Sequence, residues 1–137
     1  MTTTFTPHPE LSGRSLLSLR NHSADSVAAI LDTASELKAT PRTRWPQLLK
    51  GKVVALIFER PSTRTRVSFA TGIALLGGTA LVLSPDDMQL GRGESIEDTA
   101  IVMGRMVDAI MLRTGPHATL VELERHAGVP VINGLTY

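Results

Sequence analysis

Val53-Val54-Ala55-Leu56-Ile57-Phe58 runs directly into Glu59-Arg60-Pro61-Ser62-Thr63-Arg64-Thr65-Arg66-Val67-Ser68-Phe69. Six consecutive apolar residues without alternation read as a strand buried on both faces. The segment Ser62–Thr65 then opens a helix that reaches about Leu76 and ends at Gly77 and Gly78. The same unit recurs downstream. Thr79–Leu83 reads as a second buried strand, and Ser84–Glu94 as a loop marked by Pro85, Gly91 and Gly93. Ser95 with Asp98 has capping-box spacing and opens a helix to about Met106. Ala109–Leu112 is a third strand, His117–Ala127 a helix closed by Gly128, and Val129–Ile132 a fourth strand. Upstream, an irregular lead-in of about twenty residues precedes a helix from Ser23 to about Lys38. Its apolar positions Val27, Ile30, Leu31, Ala34 and Leu37 keep helical spacing. Thr40–Pro46 is a loop. This alternation predicts an α/β fold, a four-stranded parallel sheet in the order 2-1-3-4 with helices on both faces.

At 137 residues the chain is one domain of ordinary size. Hydrophobic residues make up 42% and charged residues 20%, a globular balance. The net charge of +1 gives no reason to expect nucleic acid or an anionic membrane surface. There is no Cys, which excludes disulfides and thiolate metal sites. No apolar stretch approaches the roughly 18 residues of a membrane span. Met1–Glu10 lacks a positive cluster followed by an apolar run, so the cytoplasm is the expected compartment. Only Lys38, Lys50 and Lys52 are lysines, against eleven arginines. Arginine offers a planar fork suited to phosphate and carboxylate oxygens.

In parallel α/β sheets ligands sit beyond the carboxyl ends of the strands. That rule directs attention to the turns after strands one, two and three. In the first, hydroxyls and guanidiniums alternate at a helix N-terminus, where unpaired N–H groups and positive partial charge suit a phosphate. Ser62, Thr63 and Thr65 offer hydroxyls and Arg64 a charge-assisted fork. Ser62 alone could simply cap the helix. Cations in a first turn oppose the helix dipole unless an anion is present, which favours the binding reading. Arg66 reads as structural.

Ser62-Thr63-Arg64-Thr65-Arg66, followed by Ser68-Phe69, resembles the signature of the aspartate and ornithine carbamoyltransferase family. In that family the segment holds the phosphate of carbamoyl phosphate. Met88-Gln89-Leu90-Gly91-Arg92-Gly93-Glu94-Ser95 resembles the family's mobile loop, which enters the active site of a neighbouring subunit. The resemblance makes Gln89 a carbamoyl-phosphate contact and Glu94 the acidic partner of Arg64. Arg92 falls where aspartate-type members tend to carry Lys. Arg113, at the end of strand three, corresponds to the arginine that reaches the carbonyl oxygen, a catalytic role. Val131-Ile132-Asn133-Gly134-Leu135-Thr136 resembles the ornithine-type sequence at the domain junction, with Leu135 a contact for the amino-acid substrate.

The resemblance covers essentially residues 11–137, the first half of a family member's chain. It implies that residues 1–137 form a carbamoyl-phosphate-binding domain, with the amino-acid-binding domain absent from this chain. The implied reaction transfers a carbamoyl group to L-ornithine, giving L-citrulline and phosphate, without metal or organic cofactor. The implied assembly is a homotrimer in which the loop Ser84–Glu94 is donated in trans. Two alternatives stay open: an aspartate or other carbamoyltransferase, and a stand-alone, non-catalytic phosphate-binding or assembly domain. His8, His22, His117 and His126 lack metal-ligand spacing. Asp86 and Asp87 read as solvating the loop, and Arg42, Trp45 and Arg44 as a linker without an assigned role.

Overall fold

A computed structural model describes residues 5–84, 87 and 93–137. Its elements are α1 (Ala24–Ala39), β1 (Val53–Phe58), α2 (Thr63–Leu75), β2 (Thr79–Leu83), α3 (Ile96–Met106), β3 (Ala109–Arg113), α4 (His117–Ala127) and β4 (Val131–Leu135). The four strands form one parallel sheet in the order β2-β1-β3-β4, the expected α/β arrangement. Each strand alternates its side chains between faces, so a doubly covered sheet needs apolar residues at every position. β1 meets that demand. Val54, Leu56 and Phe58 join Ile73 of α2 and Met111 on one face, while Ala55 and Ile57 join Ile110, Leu112, Leu120, Leu123, Ala127 and Val131 on the other. Full burial of one such large apolar side chain stabilises the fold by about 1.5–3 kcal/mol.

Three of the helices, α1, α2 and α3, start where a serine oxygen can accept a free N–H group. Ser23 accepts from Ser26, Ser62 from Thr65 and Ser95 from Asp98. Gly128, at φ 70°, takes the left-handed conformation that closes α4. Trp45 has a structural role that its linker position hides. Its indole Nε1 lies 3.0 Å from the carbonyl oxygens of both Leu37 and Thr40 and satisfies the last turn of α1. Within the loop Thr40–Pro46, Arg42–Arg44 forms a short 3-10 turn.

α3 and α4 pack closely on the same face. A Cβ at Gly104 would collide with the carbonyl of Ala127, so only glycine permits this approach.

Three expectations need correction. β2 is not buried on both faces. It pairs only with β1, and its Thr79 and Leu81 are exposed. β4 runs from Val131 to Leu135 rather than Val129 to Ile132. Pro130 has no N–H to contribute to a ladder, and the strand continues through Gly134, where a side chain would meet the sulfur of Met111. The lead-in is also less irregular than its composition suggests. Leu16 bridges Ile132 in parallel register, with Leu16 N–H donating to Val131 O at 2.9 Å and Asn133 N–H donating to Leu16 O at 2.8 Å. Smaller adjustments place Thr63 already inside α2 and Arg113 inside β3.

Candidate active site

The carboxyl ends of β1 and β3 lie side by side, with Phe58 paired to Arg113. Beyond Phe58 the chain turns through Glu59, Arg60 and Pro61 and enters α2 at its N-cap, Ser62. Ser62 Oγ accepts from the N–H of Thr65 at 3.4 Å. Thr63 and Arg64 are exposed in the same turn, while Ser62 and Thr65 are half-buried. The first turn has no acidic residue. Among the described residues no carboxylate stands within ion-pair distance of Arg64 or Arg66. This electropositive helix start has no counter-ion among the described residues, an arrangement that an external anion would relieve.

Arg113 closes this arrangement from the sheet. Its Nη1 donates to Thr65 Oγ1 at 2.8 Å, across 48 residues of sequence. The structure therefore brings together Ser62, Thr63, Arg64, Thr65 and Arg113. The Arg113 backbone is anchored as well, since its carbonyl accepts from Glu59 N–H at 2.9 Å. Thr114, almost fully buried, donates from Oγ1 to Glu59 Oε2 at 2.6 Å. Glu59 and Thr114 thus tie the two strand ends beside Arg113. No spacing rule singles out either residue. The only sign of Glu59 is its place as the first charged residue after a buried run. Arg60 is held by Tyr137: its Nη2 donates to the Tyr137 hydroxyl at 2.7 Å, and its guanidinium lies 5.1 Å from the ring centroid.

Leu135 lies on the other side of Arg113, paired to it across an irregularity in the β3–β4 register. Its φ of 150° falls in a region that residues with a Cβ rarely adopt, at a cost of about 1–3 kcal/mol. The residue is 57% exposed and borders a groove of about 310 Å³ with Leu16, Leu17, Leu19, Asn133 and Gly134. A larger cavity of about 620 Å³ lies on the β2 side of the helix start, lined by Phe58, Ser62, Thr63, Arg66, Val82 and Ser84 among others.

Gln89 and Arg92 lie outside the described residues. Glu94 is described, and within the single chain it forms no ion pair with Arg64. Its Oε2 accepts from Thr99 Oγ1 at 3.4 Å, because Thr99 stands in the first turn of α3 and Glu94 directly precedes the N-cap, Ser95. Asp87 is more than a solvated loop residue. Its Oδ2 accepts from both the N–H and the hydroxyl of Ser84 at 2.9 Å, and these bonds, the backbone one first, hold its carboxyl below the usual value of 3.8.

Residues 14–137 match the family model for the aspartate/ornithine carbamoyltransferase, carbamoyl-P binding domain. The chain belongs to this family. An ornithine carbamoyltransferase of Halalkalibacterium halodurans is 52% identical over 127 residues, which are 92% of this chain and 40% of that protein. An anabolic ornithine carbamoyltransferase of Pyrococcus furiosus is 50% identical, with the same two coverages. The solved ornithine carbamoyltransferase from Pyrococcus furiosus superposes with a TM-score of 0.89 at 50% identity, over 92% of this chain and 41% of that one. The carbamoyltransferase domain described here thus spans about 40% of the length of the curated relatives it matches. Among its described residues no helix is long and apolar enough to cross a membrane.

Proposed function

We propose that residues 1–137 are the carbamoyl-phosphate-binding domain of an ornithine carbamoyltransferase. The observation that carries this reading is the convergence of Arg113 on Thr65 at an electropositive helix start. Ser62, Thr63, Thr65 and the N–H groups of α2 hold the phosphate oxygens, and Arg64 adds a charge-assisted fork. Arg113 is the catalytic residue, polarising the carbonyl oxygen. A neutral δ-amino group of L-ornithine attacks the carbonyl carbon. The C–N bond forms, the C–O bond to phosphate breaks, and the departing phosphate takes the amine proton. Negative charge grows on the carbonyl and leaving oxygens, so donors fixed in advance lower the barrier.

Ornithine binding and turnover require the remainder of such an enzyme, with Leu135 bordering the amine side. Gln89, on the loop Ser84–Glu94, contacts the carbamoyl phosphate in the site of a neighbouring subunit within a homotrimer. A role in arginine biosynthesis is in keeping with the relative named anabolic, and the cytoplasm is the compartment proposed from the sequence. The test is titration of this chain with phosphonoacetamide, followed by amide resonances. Shifts centred on residues 62–66 and 113 support the reading. Shifts centred elsewhere, with those residues silent, overturn it. Sedimentation at high protein concentration checks the trimer.

A further inference from the structure

The strained backbone of Leu135 is held by a set of side chains that the anion site does not use. Asn133 Oδ1 accepts the Leu135 N–H at 2.9 Å, while its Nδ2 donates to Leu17 O at 2.9 Å and to Thr136 Oγ1 at 3.2 Å. These partners fix which end of the amide is oxygen. His117, the first residue of α4, places Nδ1 2.7 Å from the same Thr136 hydroxyl. The Thr136 oxygen takes the Asn133 N–H, which leaves its own proton free to donate to a bare Nδ1. The opposite tautomer keeps the contact with Nδ1 as donor. The backbone closes the frame: Thr114 N–H donates to Leu135 O at 3.2 Å, His117 N–H to Tyr137 O at 3.2 Å, and Tyr137 N–H to Gly115 O at 2.9 Å. A rare conformation persists only where its surroundings over-determine it, and such strain gathers at working sites.

We propose that His117 is a positioning residue for the amine side of the site. Through Thr136 and Asn133 it locks Leu135 at φ 150°, so that the leucine side chain stands exposed beside Arg113 as an apolar wall for the aliphatic part of the amine substrate. The placement follows from the sheet. Leu135 is the ladder neighbour of Arg113, and neighbouring strands lie about 4.8 Å apart. An acceptor chain attacking a carbonyl held by Arg113 therefore passes Leu135. This inference rests on the carbamoyl-transfer reading, but the lock itself is measurable without it.

The experiment has two arms on this chain. The first reads the Leu135 conformation from its three-bond amide–Hα coupling, which is small near φ 150° and large for ordinary extended backbone. The small coupling is expected in the parent chain and in His117→Asn, whose amide can replace Nδ1. A large coupling is expected in His117→Ala and in Thr136→Val, either of which suffices if the other fails to fold. The second arm compares phosphonoacetamide with its N-pentyl derivative. In the parent chain the pentyl group tightens binding about threefold, through partial burial against Leu135. In His117→Ala that gain disappears, while phosphonoacetamide affinity is unchanged. An unchanged small coupling in folded His117→Ala and Thr136→Val overturns the lock. A pentyl gain retained in His117→Ala overturns the wall. If neither phosphonate binds the parent chain, the carbamoyl-transfer reading fails and the wall with it, while the coupling still decides the lock.

Discussion

Arg113 and Thr65 are 48 residues apart in sequence, yet Arg113 Nη1 donates to Thr65 Oγ1 at 2.8 Å, joining the end of β3 to the first turn of α2. The bond aims a cation from the sheet at a helix start that already carries Arg64. If Arg113 serves the carbonyl and Arg64 the phosphate, simple ligands separate the two roles. Arg64→Ala should weaken inorganic phosphate and phosphonoacetamide alike, by about tenfold, as expected for loss of about 1.4 kcal/mol in a solvent-exposed charge-assisted contact. Arg113→Ala should weaken phosphonoacetamide more than phosphate, since only the former has a carbonyl. Calorimetric titration of the two ligands against both variants checks this. Equal losses for Arg113→Ala would assign it to the phosphate.

Removing the hydroxyl that Arg113 holds tests the positioning directly. Thr65→Val keeps the shape but leaves the guanidinium without this acceptor. Hydrogen bonds to charged groups contribute about 1.5–3 kcal/mol when lost from a buried site, and less here because both residues are half-buried. The expected result is a loss of about 1 kcal/mol in urea unfolding, together with weaker phosphonoacetamide binding. Full retention of both would show that Arg113 is placed by its backbone alone.

Two helical glycines should respond in opposite directions. Gly72, in α2, has nothing within 4 Å of a would-be Cβ and no positive φ. Gly72→Ala should stabilise the chain by about 0.5–1 kcal/mol. Gly104, in α3, faces the carbonyl of Ala127. Gly104→Ala must push α3 and α4 apart and should cost about 1–3 kcal/mol or more. Thermal unfolding of the two variants settles the comparison, and equal shifts would contradict the close approach.

The Ser84–Asp87 turn should be sensitive to acid. The Asp87 pKa is lowered in the folded chain, so its bonds to Ser84 are present above the unfolded carboxylate value and are lost as pH falls through the lowered folded value. An NMR titration should give Asp87 a midpoint below 3.8, with the Ser84 amide shifting at the same pH. In Ser84→Ala the backbone N–H still donates, so the shift should shrink without vanishing. A midpoint at or above the ordinary carboxylate value would remove the turn.

Much of the architecture is legible in residue order because burial and handedness leave few choices. Val53–Phe58 has no polar position and must be covered on both faces, and right-handed crossovers then restrict where the remaining strands can lie. β2 reads as buried because Ala80–Leu83 is equally apolar, but composition does not say which strand lies at an edge. β4 starts later than its apolar run suggests because Pro130 lacks an N–H, and it continues past Ile132 through Asn133 and Gly134. The signature Ser62–Thr65 is legible because its spacing is contiguous. The Arg113–Thr65 bond, the Glu59–Thr114 tie and the His117–Thr136–Asn133 frame join residues that only the folded sheet makes neighbours.

The chain contains one tryptophan and one tyrosine, and the fold places them at different jobs. Trp45 caps the end of α1. Tyr137 rests its ring against Arg60, two residues before Ser62, the N-cap of α2. The molecule therefore has two separable optical channels. Indole emission follows whether the last turn of α1 is intact. Phenol absorbance, perturbed by the guanidinium lying over the ring, follows the loop that carries Ser62. Ligand that orders this loop changes the second signal and leaves the first untouched, whereas unfolding moves both, so occupancy and integrity can be followed in one cuvette without an added dye.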